Sequence, residues 1–212
     1  MLLPISCPIC GRRGAAPCDA CIAALRPAPA LPPPVGLDGC TALLAYEDEG
    51  RELLARLKYR NARATVAWLA WQLAGRVRPG SVDVICWAPT SAARARQRGF
   101  DQARLLARAV ARRAGVPCSG LLTRQAGPPQ TGLAVADRWS GPRFLVRRGL
   151  VVPARVMVVD DVVTTGATLA AAARTLRGAG AREVWGLAAG RTPLKARRPP
   201  SDPSSDGERR IA

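Results

Sequence analysis

Residues 155–172 read Arg-Val-Met-Val-Val-Asp-Asp-Val-Val-Thr-Thr-Gly-Ala-Thr-Leu-Ala-Ala-Ala, and this order constrains the fold more than any other part of the chain. It joins an apolar run suited to a buried strand, two acids, a turn of small residues and an alanine-rich helix. In a parallel α/β sheet the carboxyl end of a strand opens onto the ligand crevice, so Asp160 and Asp161 are expected where a ligand lies. Residues 164–168 then turn into a helix N-terminus. That turn offers unpaired backbone amides, the positive end of the helix dipole and the hydroxyls of Thr164, Thr165 and Thr168, a combination suited to a phosphate monoester. Gly166 lets the backbone approach closely. The helix should run to about Arg177 and stop at Gly178, with the next strand at 183–189, which completes a βαβ unit.

The flanking pattern repeats this alternation. A strand is expected at 41–46, helices at 52–59 and 64–76, and a buried strand at 82–87. Trp68, Leu69 and Leu73 follow helical spacing, and Trp68 and Trp71 read as core or interface anchors. Residues 100–114 form an amphipathic helix, with Leu105, Leu106, Ala109 and Val110 inward and Arg104, Arg108, Arg112 and Arg113 outward. A short strand at 121–124 precedes a Gly-, Pro- and polar-rich stretch, 125–141, longer than an ordinary connection. Strand–helix alternation of this kind predicts an α/β fold, a mainly parallel sheet flanked by helices. At 212 residues the chain fits one medium domain with a small appendage.

The appendage is written in cysteine. Cys7, Cys10, Cys18 and Cys21 form a C-x2-C-x7-C-x2-C array whose tight knuckles direct four sulfurs toward one tetrahedral Zn2+, with redox or vestigial cysteines as the alternative. Four thiolates would close the coordination shell, so such a zinc is structural. Cys40, Cys86 and Cys118 read as small buried hydrophobes. Residues 26–39 are Pro- and Ala-rich and read as an extended linker, and residues 192–212 as a disordered basic tail. The expected organisation is therefore a knuckle at 1–25, the linker, a main domain at 40–191 and the tail.

The chain has no histidine, which excludes Ser-His-Asp and Cys-His nucleophilic sites, histidine bases and His-containing metal sites. Its formal net charge of +17, almost all arginine, attracts polyanions without choosing among nucleic acid, acidic membrane and phosphorylated metabolites. No apolar run approaches the roughly 20 residues of a membrane span, and the opening residues lack a basic segment before an apolar one, so a cytoplasmic protein is expected.

Residues 156–169 resemble the phosphoribosyl-pyrophosphate motif of the type I phosphoribosyltransferases. The order of the four-cysteine knuckle, Lys58-Tyr59, Arg98-Gly99-Phe100-Asp101-Gln102 and that motif resembles more narrowly the ComF family, named for a competence protein of DNA uptake and related to GntX-type proteins. The resemblance implies a type I phosphoribosyltransferase fold that binds 5-phosphoribosyl pyrophosphate with Mg2+. By the same resemblance Asp160 and Asp161 contact the ribose hydroxyls, while Val163, Thr164, Thr165, Gly166, Ala167 and Thr168 wrap the 5′-phosphate. Residues 89–101 take the place of the pyrophosphate loop, with Arg94, Arg96, Arg98 and Gly99. Residues 125–141 take that of a flexible catalytic loop, where Gln130, Leu133 and Arg138 match. Asp101 and Gly141 each stand where the family commonly has Asn.

Two functions of different class follow. One is phosphoribosyl transfer to a nitrogen acceptor that the residues do not name. The other is a non-catalytic accessory of DNA uptake, binding single-stranded DNA or a protein of the competence machinery. An adaptor that uses the knuckle alone is a third.

Overall fold

In a computed structural model, which describes residues 5–57, 63–125 and 141–193, the strand period of two decides the architecture. Val156 and Val158 of β5 (Arg155–Val163) face one side of the sheet, and Met157 and Val159 the other. Strand β2 (Val84–Trp87) divides in the same way, Val84 and Cys86 against Ile85 and Trp87. A strand covered on both faces has no reason to alternate polar residues, hence the continuous apolar runs. With β1 (Gly39–Ala45) and β6 (Glu183–Arg191) these strands form a parallel sheet in the order β1-β6-β5-β2.

Helices α2 (Asp48–Arg56), α3 (Arg63–Ala74) and α5 (Gln102–Ala114) bury one face, packing Leu53, Leu69, Leu73 and Leu106 around Met157, Val159 and Leu187. The other face is covered by α6 (Ala167–Gly178) and by a two-stranded antiparallel ribbon of β3 (Leu122–Arg124) and β4 (Phe144–Val146). The strand expected at 121–124 is thus present, but it pairs outside the main sheet. Among the described residues no helix is long and apolar enough to cross a membrane.

Two ion pairs lock the amino-terminal end of the sheet. Asp83 accepts from the backbone N–H of Arg155 at 2.9 Å and from its guanidinium at 2.6 Å. Asp38 accepts from the Val184 N–H at 2.7 Å and the Arg177 guanidinium at 2.6 Å. Both carboxyls lie below the usual range, Asp83 chiefly through the Arg155 hydrogen bonds. For Asp38 burial pushes upward and is outweighed by the Val184 amide and Arg177. Acid and base are consumed here, at the end of the sheet away from the expected ligand.

The Pro- and Ala-rich segment before β1 forms neither helix nor strand, and it is tied down along its length. Its start runs beside β1, where the Ala45 and Ala28 N–H groups donate to Arg26 O and Leu43 O. Its middle is held by the buried Arg191, which donates to Leu31 O at 3.1 Å and Pro32 O at 2.6 Å. The knuckle is docked as well, with Ile9 and Leu25 packed against the core.

One expected stripe is corrected. On α5 the buried residues are Ala103, Leu106, Ala107, Val110 and Ala111, while Leu105 is 41% exposed. Alanines at i, i+4 and i+8 let the helix approach the sheet closely, and this turns Leu105 out toward α3 and solvent. Cys86 is buried as expected, Cys40 only partly, and Cys118 is exposed.

Candidate functional site

At the carboxyl end of β5 the chain turns sharply, and both acids are engaged locally. Asp160 Oδ1 accepts from the Asp161 N–H, and Asp161 Oδ1 accepts from the Val162 N–H, each at 2.8 Å. Asp160 is 9% exposed. Burial, then the neighbouring Asp161 charge, push its carboxyl well above the usual range, with the Asp161 amide opposing. Such a group is costly to keep as a bare anion, so it suits a partner that donates to it.

Val163 is buried, Thr164 and Thr165 are exposed, and Gly166 takes a left-handed φ of 78° immediately before α6. A Cβ on Gly166 would lie 2.6 Å from Pro34 Cγ, so the strapped proline segment needs glycine there. Thr165 Oγ1 accepts from the Ala167 N–H at 3.4 Å. The turn and the first residues of α6 enclose a nook of about 20 Å³ lined by residues 162–169 and Asp160. The first N–H groups of a helix have no intrahelical acceptor, so this nook lies at the positive end of α6.

The nook adjoins a cleft of about 260 Å³, lined in part by Asp160, Asp161, Thr164 and Thr168. Thr90, Arg94, Arg98 and Gln102 line it too, as does Arg124. The segment expected as a loop at 89–101 contains a short helix, α4 (Ala92–Arg98), capped by Ser91 Oγ and closed by Gly99 at φ 78°. Arg94 and Arg98 reach the cleft from it, whereas Arg96 is exposed and is not among the lining residues. Asp101 has a structural task. Its two oxygens accept from the Thr90 N–H at 3.0 Å and the Arg104 N–H at 3.1 Å, which clasps this segment and caps α5.

Two cleft residues have no assigned role in the sequence motifs, although Gln102 stands in the 98–102 element. Arg124 stands at the end of β3, half-buried, its pKa lowered by burial and by the Arg94 charge while Asp160 opposes. Only the ribbon's pairing aims it here, and no local motif announces it. Gln102 is 5% exposed; its Oε1 accepts from Arg98 Nη1 at 2.9 Å, and its Nε2 is buried without a partner among the described residues. A buried donor left unpaired is unfavourable unless a ligand completes it. Lys58, Tyr59, Gln130, Leu133 and Arg138 lie outside the described residues. Gly141 has φ 64°, and a Cβ there would meet Ala167 O at 2.8 Å, so glycine fits where Asn would not.

Residues 101–190 match the family model of the phosphoribosyl transferase domain. The fold is the type I phosphoribosyltransferase fold. Among solved structures the chain is similar to the allosteric regulatory enzyme of purine biosynthesis, at 21% identity over 64% of this chain and 30% of that one, TM-score 0.44. It is similar to the glutamine phosphoribosylpyrophosphate amidotransferase of B. subtilis at 20% identity over 64% and 30%, TM-score 0.43. It is also similar to the purine phosphoribosyltransferase of Pyrococcus horikoshii at 20% identity over 60% and 83%, TM-score 0.39. The chain thus spans about a third of the length of the first two. No curated protein matches it.

The four cysteines form a second centre. Cys7 and Cys10 lie on a small hairpin in which Gly11 N–H donates to Cys7 O, and Cys18 and Cys21 lie at the start of α1 (Asp19–Ala24). Their Sγ atoms all fall within 4.8 Å of one another, Cys10 and Cys18 at 3.7 Å. Sulfurs about 2.3 Å from a tetrahedral Zn2+ stand roughly 3.8 Å apart, so the cluster has the size of a closed four-thiolate site. Burial raises the Cys7 pKa, yet the amides of Cys10, Cys18 and Ile9 outweigh it and bring the thiol to about 6. Cys21 is pushed up to about 12 by burial and by its neighbouring thiols.

Proposed function

We propose that the chain binds 5-phosphoribosyl pyrophosphate in this cleft and transfers the phosphoribosyl group to a nitrogen acceptor. The observation that carries the reading is a convergence in one cavity. Twin carboxylates and a threonine-lined helix start meet three guanidiniums, Arg94, Arg98 and Arg124, and an unpaired amide donor, Gln102. Asp160 and Asp161 would accept from the ribose hydroxyls, and the turn 163–168 would hold the 5′-phosphate. The arginines and Gln102, with the Gly99 turn, would hold the pyrophosphate, since guanidinium forks match phosphate oxygens.

Transfer forms a bond from the acceptor nitrogen to the ribose C1′ as the bond from C1′ to pyrophosphate oxygen breaks. The electron pair leaves with pyrophosphate, and the acceptor's proton passes to water. The chain supplies position and positive charge where the leaving group gains negative charge. The cleft is rich in carboxylate and hydroxyl oxygens, the hard donors that suit Mg2+, which would arrive on the pyrophosphate and add to that neutralisation. We assign residues 125–141, with Gln130 and Arg138, to the loop that closes over it, and the cysteine cluster to structural Zn2+.

Isothermal titration with 5-phosphoribosyl pyrophosphate and Mg2+ tests the reading. Saturable heat is expected, and its absence on folded protein defeats the proposal. The net charge of +17 favours a second reading, the DNA-uptake accessory with single-stranded DNA or a competence protein as partner. It predicts DNA binding that falls steeply with salt and survives Asp160→Asn.

A further inference from the structure

Helices α3 and α5 pack against each other, and among the described residues their outer seam is open. The seam holds two adjoining cavities of about 510 and 460 Å³ that share Arg113. The first has an apolar floor of Val66, Ala67, Ala70, Leu105 and Ala109. Beside the second stands Trp71, 58% exposed. Large apolar side chains turned to solvent in one contiguous strip mark interaction sites more often than isolated ones do.

The rim is wholly basic. Arg108, Arg112 and Arg113 border the first cavity and Arg76 the second, and among the described residues no acid lines either. Among the described residues, Arg108, Arg112 and Arg113 have no carboxylate within ion-pair distance. A second copy of this chain would bring a like-charged rim against this one. The chain's own residues 194–212 are also of the wrong sign, with Lys195, Arg197, Arg198, Arg209 and Arg210 against Asp202, Asp206 and Glu208.

We propose that this seam docks an acidic amphipathic helix of a partner protein. Its apolar stripe lies over Leu105, Ala109 and Ala70 and against Trp71, and its flanking Asp or Glu side chains pair with Arg108, Arg112 and Arg113. Two neighbouring helices present a groove that a third helix fills ridge into groove, with anchors at i, i+3, i+4 and i+7. Helices of 12 and 13 residues give a seam roughly 18–20 Å long, so about three to four turns of partner helix cover it. The surface is separate from the cleft, and the proposal does not depend on what the cleft binds.

The test uses the full chain and a fluorescent, helix-stapled peptide of about four turns, with Leu at those anchor spacings and Glu on both flanks. Fluorescence anisotropy should show saturable binding that quenches tryptophan emission. Leu105→Asp should weaken it at least about tenfold, or 1.4 kcal/mol. Arg112→Glu with Arg113→Glu should weaken it as much and bind a Lys-flanked version of the peptide more tightly than the wild-type chain does. That exchange cannot come from a variant that has merely lost its fold. The proposal is overturned by no binding, by equal binding of a scrambled peptide, or by indifference to these substitutions. It is also overturned if a twelve-nucleotide oligo-dT binds the seam more tightly than the peptide, in a manner lost in Trp71→Ala, or if Leu105→Asp dissociates a homodimer.

Discussion

Replacing Asp160 with Asn should make the protein more stable and bind its ligand less well. The Asp160 carboxyl is nine-tenths buried at the end of a central strand, and its pKa is driven up by burial first and by Asp161 next. Ionising a group in such a place is opposed by lost solvation, and removing the charge isosterically recovers on the order of 1–3 kcal/mol. For a chain of this size each kcal/mol moves the melting temperature by roughly 2–4 °C, so a gain of about 2–12 °C is expected near neutral pH. The pH dependence has a definite sign. A folded-state carboxyl pKa above the ordinary 3.8 means that no penalty exists below 3.8, where both states are protonated. The penalty grows as pH rises from there through the raised pKa and is complete above it. Thermal melts of both proteins followed by circular dichroism from pH 4 to 8 should therefore show a gap that is widest near neutrality and closes toward acid. On the proposed reading the same substitution removes a charged acceptor for a ribose hydroxyl, worth about 1.5–3 kcal/mol, so 5-phosphoribosyl pyrophosphate affinity should fall by roughly 10- to 100-fold. A variant no more stable than wild type at neutral pH, or a gap that widens toward acid, would refute the account of Asp160 as a strained site residue.

Gly166→Ala places a side chain at φ 78° and a Cβ 2.6 Å from Pro34 Cγ, and should cost about 2–4 kcal/mol in chemical denaturation together with most ligand binding. Arg124→Ala should weaken inorganic pyrophosphate binding by tenfold or more in calorimetry, with a melting temperature unchanged or slightly raised, because it relieves crowding with Arg94. Cys10→Ser, or a strong chelator, should release one equivalent of Zn2+ in a colorimetric assay. It should also expose the knuckle to protease, with the parallel sheet still folded.

Most of the sheet is legible in the chain because its strands are buried on both faces. The strands expected at 82–87 and 183–189 stand as β2 and β6 with one end of each shifted by two residues, β1 begins two residues before the expected 41–46, and the apolar run before Asp160 opens β5. The turn 163–168 is legible because a helix start and its glycine are local. Helix α4 was not foreseen, since seven residues dominated by Arg and Ala carry no apolar period. The inward stripe of α5 is not fixed by the sequence because two adjacent stripes, one through Leu105 and one through Ala103 and Ala107, satisfy the same helical spacing. Nothing along the chain prefers one of them before the helix meets the sheet.

By itself the amino-acid order determined the βαβ unit, the twin acids with their threonine turn, and the four-thiol knuckle, all set by neighbours within about twenty residues. The tertiary structure alone decided that Arg124 from a separate ribbon and Gln102 from the start of α5 share a cleft with Asp160. It alone strapped the proline segment over Gly166 and, among the described residues, left the α3–α5 seam open. Backbone geometry and hydrogen bonding are short-ranged and can be read in sequence. Which distant side chains come to share a cavity depends on how strands order and helices rotate, and packing settles that only once the whole core has closed.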